Sequence, residues 1–197
     1  MITARLKAKE FYLFLRSLGI CEEEALAWAK GKSLRQAWAQ CKRADWMLWL
    51  VGKLAGKKGW PTKQQVVLAA CACARTALKN VPESERRPLM TIKTAERWAR
   101  GKATPEEVRI ATGDAYTAAI AADSRADYNA AYAAFAAASA ASYIVYDGSY
   151  AARTAAEAAA ASTFATSASA RDDAAAMREP LKELAHIVRR KLRVADA

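Results

Sequence analysis

The sequence predicts an all-α fold, a helical bundle carrying a long alanine-rich antiparallel helical hairpin. Three observations predict it. Alanine, the best helix former, dominates the stretch from Thr104 to Met177. Glycine and proline are scarce, 8 and 5 in 197 residues, and most fall where helices start or stop. No run of β-branched residues alternates with period two, as a half-buried strand requires.

The first helix is predicted over Thr3 to Leu18. Leu6, Leu13, Phe14 and Leu18 recur at helical spacing, and Gly19 stops it. A short second helix carries Glu22, Glu23 and Glu24 in its first turn, where negative charge suits the macrodipole, and ends at Lys30-Gly31. Ser33 opens a third, with Gln36 at the capping-box position. Its apolar stripe is Leu34, Ala37, Trp38 and Cys41. The fourth, from Ala44 to Ala55, is apolar nearly all round through Trp46, Leu48, Trp49, Leu50 and Leu54, so it belongs at the centre.

Gly56-Lys57-Lys58-Gly59 reads as a basic loop, and Pro61 suits the first turn of a helix running to about Asn80. Pro82 and the charged run Glu83 to Arg87 form a second loop. Pro88 starts a helix that stops at Arg100-Gly101. Thr104-Pro105-Glu106-Glu107 is the clearest start signal: Thr104 caps, Pro105 takes the first helical position and Glu107 completes the box. From there the helical pattern runs to Tyr146, where Asp147-Gly148-Ser149 breaks it. A second alanine helix follows to Met177. Pro180 opens a terminal amphipathic helix with Leu181, Leu184, Ile187, Val188 and Leu192.

A helix of roughly 40 residues is about 60 Å long, too long to sit alone on a small core. The break at Asp147-Gly148 therefore predicts a hairpin, with one continuous rod as the alternative. Tyr128, Tyr132 and Phe135 fall at i, i+4 and i+7. Tyr116, Ile120, Tyr143 and Tyr146 extend that stripe, which is read as core packing. Residues 1–102 are expected to form a Trp-rich basic bundle, and residues 103–197 the hairpin plus the terminal helix, packed together as one unit.

The N-terminus lacks a signal-peptide core, and the alanine region carries Asp123, Arg125, Asp127, Asp147, Arg153 and Glu157, which make it a poor membrane span. A cytoplasmic location and no membrane partner are expected. Cys71 and Cys73 look like a chelating pair, but two residues apart on a helix is about 200° of rotation. With a lone His186 far along the chain, no zinc site forms. The cysteines, Cys21 and Cys41 included, read as small buried thiols, and no metal or cofactor is expected.

The glycines build no phosphate loop. There is no His-Glu-x-x-His, no second histidine, and no Ser or Cys with a sequence cue for a base. Catalytic residues are therefore none, and the chain is not read as an enzyme. Irregular spacing of Thr112, Thr117, Thr154, Thr163 and Thr166 argues against ice binding. Trp28, Trp38, Trp46, Trp49 and Trp98 fall on apolar helix faces.

The net charge is +11, and it is uneven. Residues 1–110 carry about 22 basic and 10 acidic groups, residues 111–177 are mildly acidic, and Arg178 to Arg193 is basic again. The candidate partner-binding residues are Lys57 and Lys58 with the neighbouring Trp60, then Arg86 and Arg87, then Arg189, Arg190 and Lys191. Trp60 on a basic loop suits a partner anchor or a base-stacking platform. These cations suit an acidic partner or a phosphate backbone, but no DNA- or RNA-reading motif accompanies them.

One ordered set of blocks carries a family resemblance. Ala25-Leu26-Ala27-Trp28, Ser33-Leu34-Arg35-Gln36-Ala37-Trp38 and Ala44-Asp45-Trp46-Met47-Leu48-Trp49-Leu50 come first. Leu68 to Arg75, Glu96-Arg97-Trp98-Ala99-Arg100-Gly101, the Thr104 start with its Ala/Tyr-rich tract, and Ile187-Val188-Arg189 follow. In this order they resemble the immunity-protein family of bacterial polymorphic toxin systems, whose members also occur in phages. The resemblance covers nearly the whole chain. It implies a non-enzymatic helical inhibitor that binds and neutralises another protein, either a toxin or a subunit of a bacterial defence complex. Inhibitors that mimic nucleic acid are acidic, whereas this chain is basic. A nuclease's cationic active site is therefore not the expected target, and a protein with an acidic or RNA-facing surface is. A basic nucleic-acid-binding accessory protein is the alternative.

Overall fold

The computed structural model describes residues 6–20, 23–122, 131–132, 135–136 and 178–192. Every regular element among them is helical: α1 (Ala8–Ser17), α2 (Glu23–Ala29), α3 (Leu34–Gln40), α4 (Ala44–Leu54), α5 (Lys63–Arg75), a 3₁₀ turn (Leu78–Asn80), α6 (Arg87–Ala99), α7 (Pro105–Ile120) and α8 (Arg178–Lys191). No helix of the described residues is long and apolar enough to cross a membrane.

The caps form as their residue types dictate. Ser33 Oγ accepts from the Gln36 N–H at 3.3 Å while Gln36 Oε1 accepts from the Ser33 N–H at 3.0 Å. Thr104 and Glu107 repeat the exchange at 3.1 and 2.7 Å. A third box, Thr62 with Gln65, starts α5. Pro61 therefore lies one residue before the cap, not in the first turn. That helix also ends at Arg75 rather than near Asn80. Thr76 Oγ1 donates to the Cys73 carbonyl at 2.7 Å, which satisfies a terminal acceptor and lets the chain tighten into the 3₁₀ turn.

α4 is the centre of the bundle. Met47, Leu48, Leu50 and Val51 are fully buried, and α8 packs across both α4 and α5. One continuous cluster of buried residues extends from Phe11 through α4, α5 and Ile92 to Val108, Ala115, Val188 and Leu192. It therefore joins residues on both sides of position 102. In α1 the buried face is Phe11 and Leu15, whereas Leu13 is 55% exposed. Leu13 lies about 200° from Phe11 on the helix, so it cannot share the stripe assigned to it. Thr91 is the one buried polar side chain among the described residues. Its Oγ1 donates to the Ala111 carbonyl at 2.6 Å, which pins α6 to α7.

Trp28 and Trp38 are buried, and Trp46, Trp49 and Trp98 pack half-buried against the cluster. Trp28 Nε1 donates to the Ala37 carbonyl at 2.7 Å. The Trp46 ring tilts against Trp28 at 5.8 Å and lies under the Arg43 guanidinium at 4.6 Å. Its own buried Nε1 has no acceptor among the described residues.

The helix expected from Thr104 to Tyr146 is not continuous. α7 ends at Ile120, and Ala121 is its C-cap. Beyond it, Ala131 packs against Ala118 and Ala119, and the Phe135 ring sits 5.4 Å from Tyr116. Nineteen residues of unbroken helix would separate those rings by about 28 Å, so the chain has already turned back. The physical reason is burial: small alanine faces gain contact only by closing on each other. Tyr132 and Phe135 pack against the main cluster, 5.3 Å apart. Ile120, assigned to the same stripe, is 63% exposed. The Asp147-Gly148 break, the helix to Met177, and Tyr128, Tyr143 and Tyr146 lie outside the described residues.

Candidate functional site

The basic residues were the functional candidates, and their surroundings divide them. Lys57 and Lys58 are exposed in the loop between α4 and α5. That loop is closed by the Gly56 N–H donating to the Pro61 carbonyl at 2.8 Å. Gly56 and Gly59 both take positive φ, 79° and 81°, which a side-chain-bearing residue adopts only with strain. Trp60 is not the free ring its position suggests. It is half-buried and stacks on Phe14 of α1, with centroids 6.4 Å apart and planes 22° from parallel. Its ring fastens the basic loop to the bundle.

Arg86 is exposed at the N-cap of α6. Arg87 is engaged: its guanidinium and its backbone N–H both donate to Glu85, with Nε and N each at 2.9 Å from Oε1. Those hydrogen bonds hold the Glu85 carboxyl below its ordinary range. Arg189 is engaged more deeply. Its Nη1 donates to the Cys41 carbonyl at 2.6 Å and lies 3.4 Å from the Trp38 carbonyl. These are acceptors at the C-terminal end of α3, where a cation is favoured. Arg189 is therefore a strut between α8 and α3, while Arg190 and Lys191 are exposed.

Five carboxylates among the described residues are paired with arginine. Asp45 pairs with Arg43, Glu85 with Arg87, Glu96 with Arg75 and Arg100, Glu106 with Arg109, and Glu107 with Arg97. No ion pair among the described residues engages Lys57, Lys58, Arg86, Arg190 or Lys191. Two concave features complete this surface. An open groove of about 790 Å³ lies between α1 and α2, with Lys9, Arg16 and Lys30 around Tyr12. A smaller cleft of about 240 Å³ lies among α5, α6 and α8 and gathers Arg75, Arg100 and Lys191 around Glu96. Sequence reading singled out Lys191 alone of these four.

In that cleft Arg75 donates from Nε and Nη2 to the two oxygens of Glu96, at 2.8 and 3.0 Å. This two-pronged bond, chiefly, holds the Glu96 carboxyl below its ordinary value and raises that of Arg75. Arg100 Nη1 stands 3.7 Å from Glu96 Oε2, beyond hydrogen-bond length.

Cys41, Cys71 and Cys73 are free, buried thiols. Burial pushes Cys41 and Cys73 up to about 12 and Cys71 higher still, so none is a nucleophile at neutral pH. Among the described residues no group of three or more His, Cys, Asp or Glu side chains is placed to hold a metal. No family model, curated protein or solved structure matches this chain.

Proposed function

We propose that the chain is a binding protein that engages and neutralises another protein, using its uncompensated basic surface as the contact. One observation carries this reading. Among the described residues, Lys57, Lys58, Arg86 and Arg190 stand exposed without carboxylate partners, while Asp45, Glu85 and Glu106 are held by arginines. Exposed cations of this kind steer an acidic surface into contact and govern how fast it arrives. The stacking of Trp60 on Phe14 weighs against the nucleic-acid alternative, because it removes the ring best placed to stack a base. The family resemblance supplies the class of target: a toxin, or a subunit of a bacterial defence complex. The reading assigns no catalytic step to the chain.

The test is affinity capture from host lysate with mass spectrometry, run beside a variant carrying Lys57→Glu, Lys58→Glu and Arg190→Glu. One protein retained by the wild type and lost by the variant is the expected result. Micromolar binding to DNA or RNA that collapses with salt, with no protein captured, overturns the reading in favour of a nucleic-acid-binding accessory protein.

A further inference from the structure

We propose that the cleft among α5, α6 and α8 is a binding site for a phosphate group, as free phosphate or as the phosphate of a small ester. The charge balance points there first. Three cations, Arg75, Arg100 and Lys191, meet a single carboxylate, Glu96, so two positive charges face one small space uncompensated. Like charges at such range repel. A doubly charged oxyanion removes that repulsion.

Donor geometry points the same way. Glu96 fixes Arg75 with two hydrogen bonds and leaves its Nη1 unused among the described residues. Arg100 lies too far from Glu96 to be satisfied by it. Lys191, on the facing helix, makes no hydrogen bond or ion pair among the described residues. Gln65 lines the cleft too. Its oxygen is committed to the Thr62 N–H at 2.8 Å, which orients the side chain and leaves the amide NH₂ for a ligand. These donors come from three helices and converge over Leu68 and Ala72, whose apolar surface lowers the local dielectric and strengthens each charge-assisted bond. The cleft volume of about 240 Å³ is below the roughly 300–1,000 Å³ of drug-sized sites. It suits a phosphate group better than a whole nucleotide. In this arrangement Glu96 is the brace that holds Arg75 in position, and Arg100 and Lys191 grip the ligand.

The assignment does not rest on the inhibitor reading. Phosphate binding with no captured protein keeps the cleft and removes the inhibitor; a captured protein with no phosphate binding does the reverse.

The experiment is titration calorimetry of the full chain at low ionic strength with inorganic phosphate and, separately, a simple phosphomonoester, each checked by phosphorus NMR. Saturable binding is expected. Arg100→Ala and Lys191→Ala should each weaken it about tenfold with an unchanged melting temperature. Arg190→Ala, one residue away on the exposed face, should leave it intact. Absence of binding of both probes up to about 10 mM, or equal weakening by Arg190→Ala and Lys191→Ala, overturns the proposal.

Discussion

Arg189 and Cys41, 148 residues apart in sequence, are joined by a 2.6 Å hydrogen bond from the guanidinium Nη1 to the backbone carbonyl. The bond closes the C-terminal end of α3 with a side chain from α8. A charge-assisted bond to a part-buried carbonyl is worth about 1.5–3 kcal/mol. Arg189→Ala should therefore lower unfolding free energy by about that much, measured by urea denaturation. Arg190→Ala, fully solvated, should change it by less than about 0.5 kcal/mol. Equal effects of the two would show that the strut carries no load.

The two neighbouring indoles predict opposite outcomes for one substitution. Trp28 Nε1 has its acceptor in the Ala37 carbonyl, and Trp46 Nε1 is buried with none among the described residues. A buried donor left unpaired costs about 1–3 kcal/mol. Trp46→Phe removes that penalty along with some packing, so it should be near neutral. Trp28→Phe loses packing and a made hydrogen bond, and should destabilise by about 2 kcal/mol more. Thermal melts of the pair measure the difference.

The early reversal of the chain after α7 is tested at Tyr132. Its ring packs against the main cluster and against Phe135. Tyr132→Ala should cost about 1–3 kcal/mol. Ile120→Ala, at a side chain 63% exposed, should cost less than about 0.5 kcal/mol. A melting temperature unmoved by Tyr132→Ala would mean that this ring does not close the alanine surface onto the bundle.

Acid sensitivity follows from Glu96. Hydrogen bonds from Arg75, then its charge and those of Arg100 and Lys191, hold the folded-state carboxyl below its ordinary value of 4.5. The unfolded chain thus takes up the proton first. The stabilisation is complete above that ordinary value and is lost as pH falls through the lower folded value. Urea midpoints measured from about pH 6 down to pH 3 should fall more steeply for the wild type than for Glu96→Gln. Parallel curves would remove Glu96 from the acid response.

Much of the fold was legible because its signals are local. Ser33 with Gln36 and Thr104 with Glu107 declare helix starts within four residues, and the apolar density of Ala44–Leu54 declares a central helix. The turn after Ile120 was not legible. No glycine or proline marks Ala121-Ala122, and the turn-favouring Asp123-Ser124 that follows is the one local signal, set within a long alanine-rich pattern. The cleft was illegible for a different reason. Nothing in the sequence ties Lys191, a candidate only as part of the Arg189-Arg190-Lys191 run, to Arg75, Glu96 or Arg100, and only the packing of α8 on α5 brings them together. Arg189 did carry a weak signal. It sits one turn from both Ala185 and Leu192, at the edge of the buried stripe, so a side chain long enough to reach inward was placed to do so.

The packing of α8 across α4 and α5 also sets an order of events at the ribosome. The most apolar helix of the bundle, α4, emerges well before α8, the element packed across it, which is made more than a hundred residues later. Until then the nascent chain carries Met47, Leu50 and Val51 without their final neighbours, and the loop that must close is long and slow to close. The same late arrival completes the cleft, since Lys191 is its last wall. A chain halted before α8 would thus lack both the packing across α4 and the Lys191 side of the cleft, so the arrival of α8 is the step that ends the exposure of a sticky intermediate.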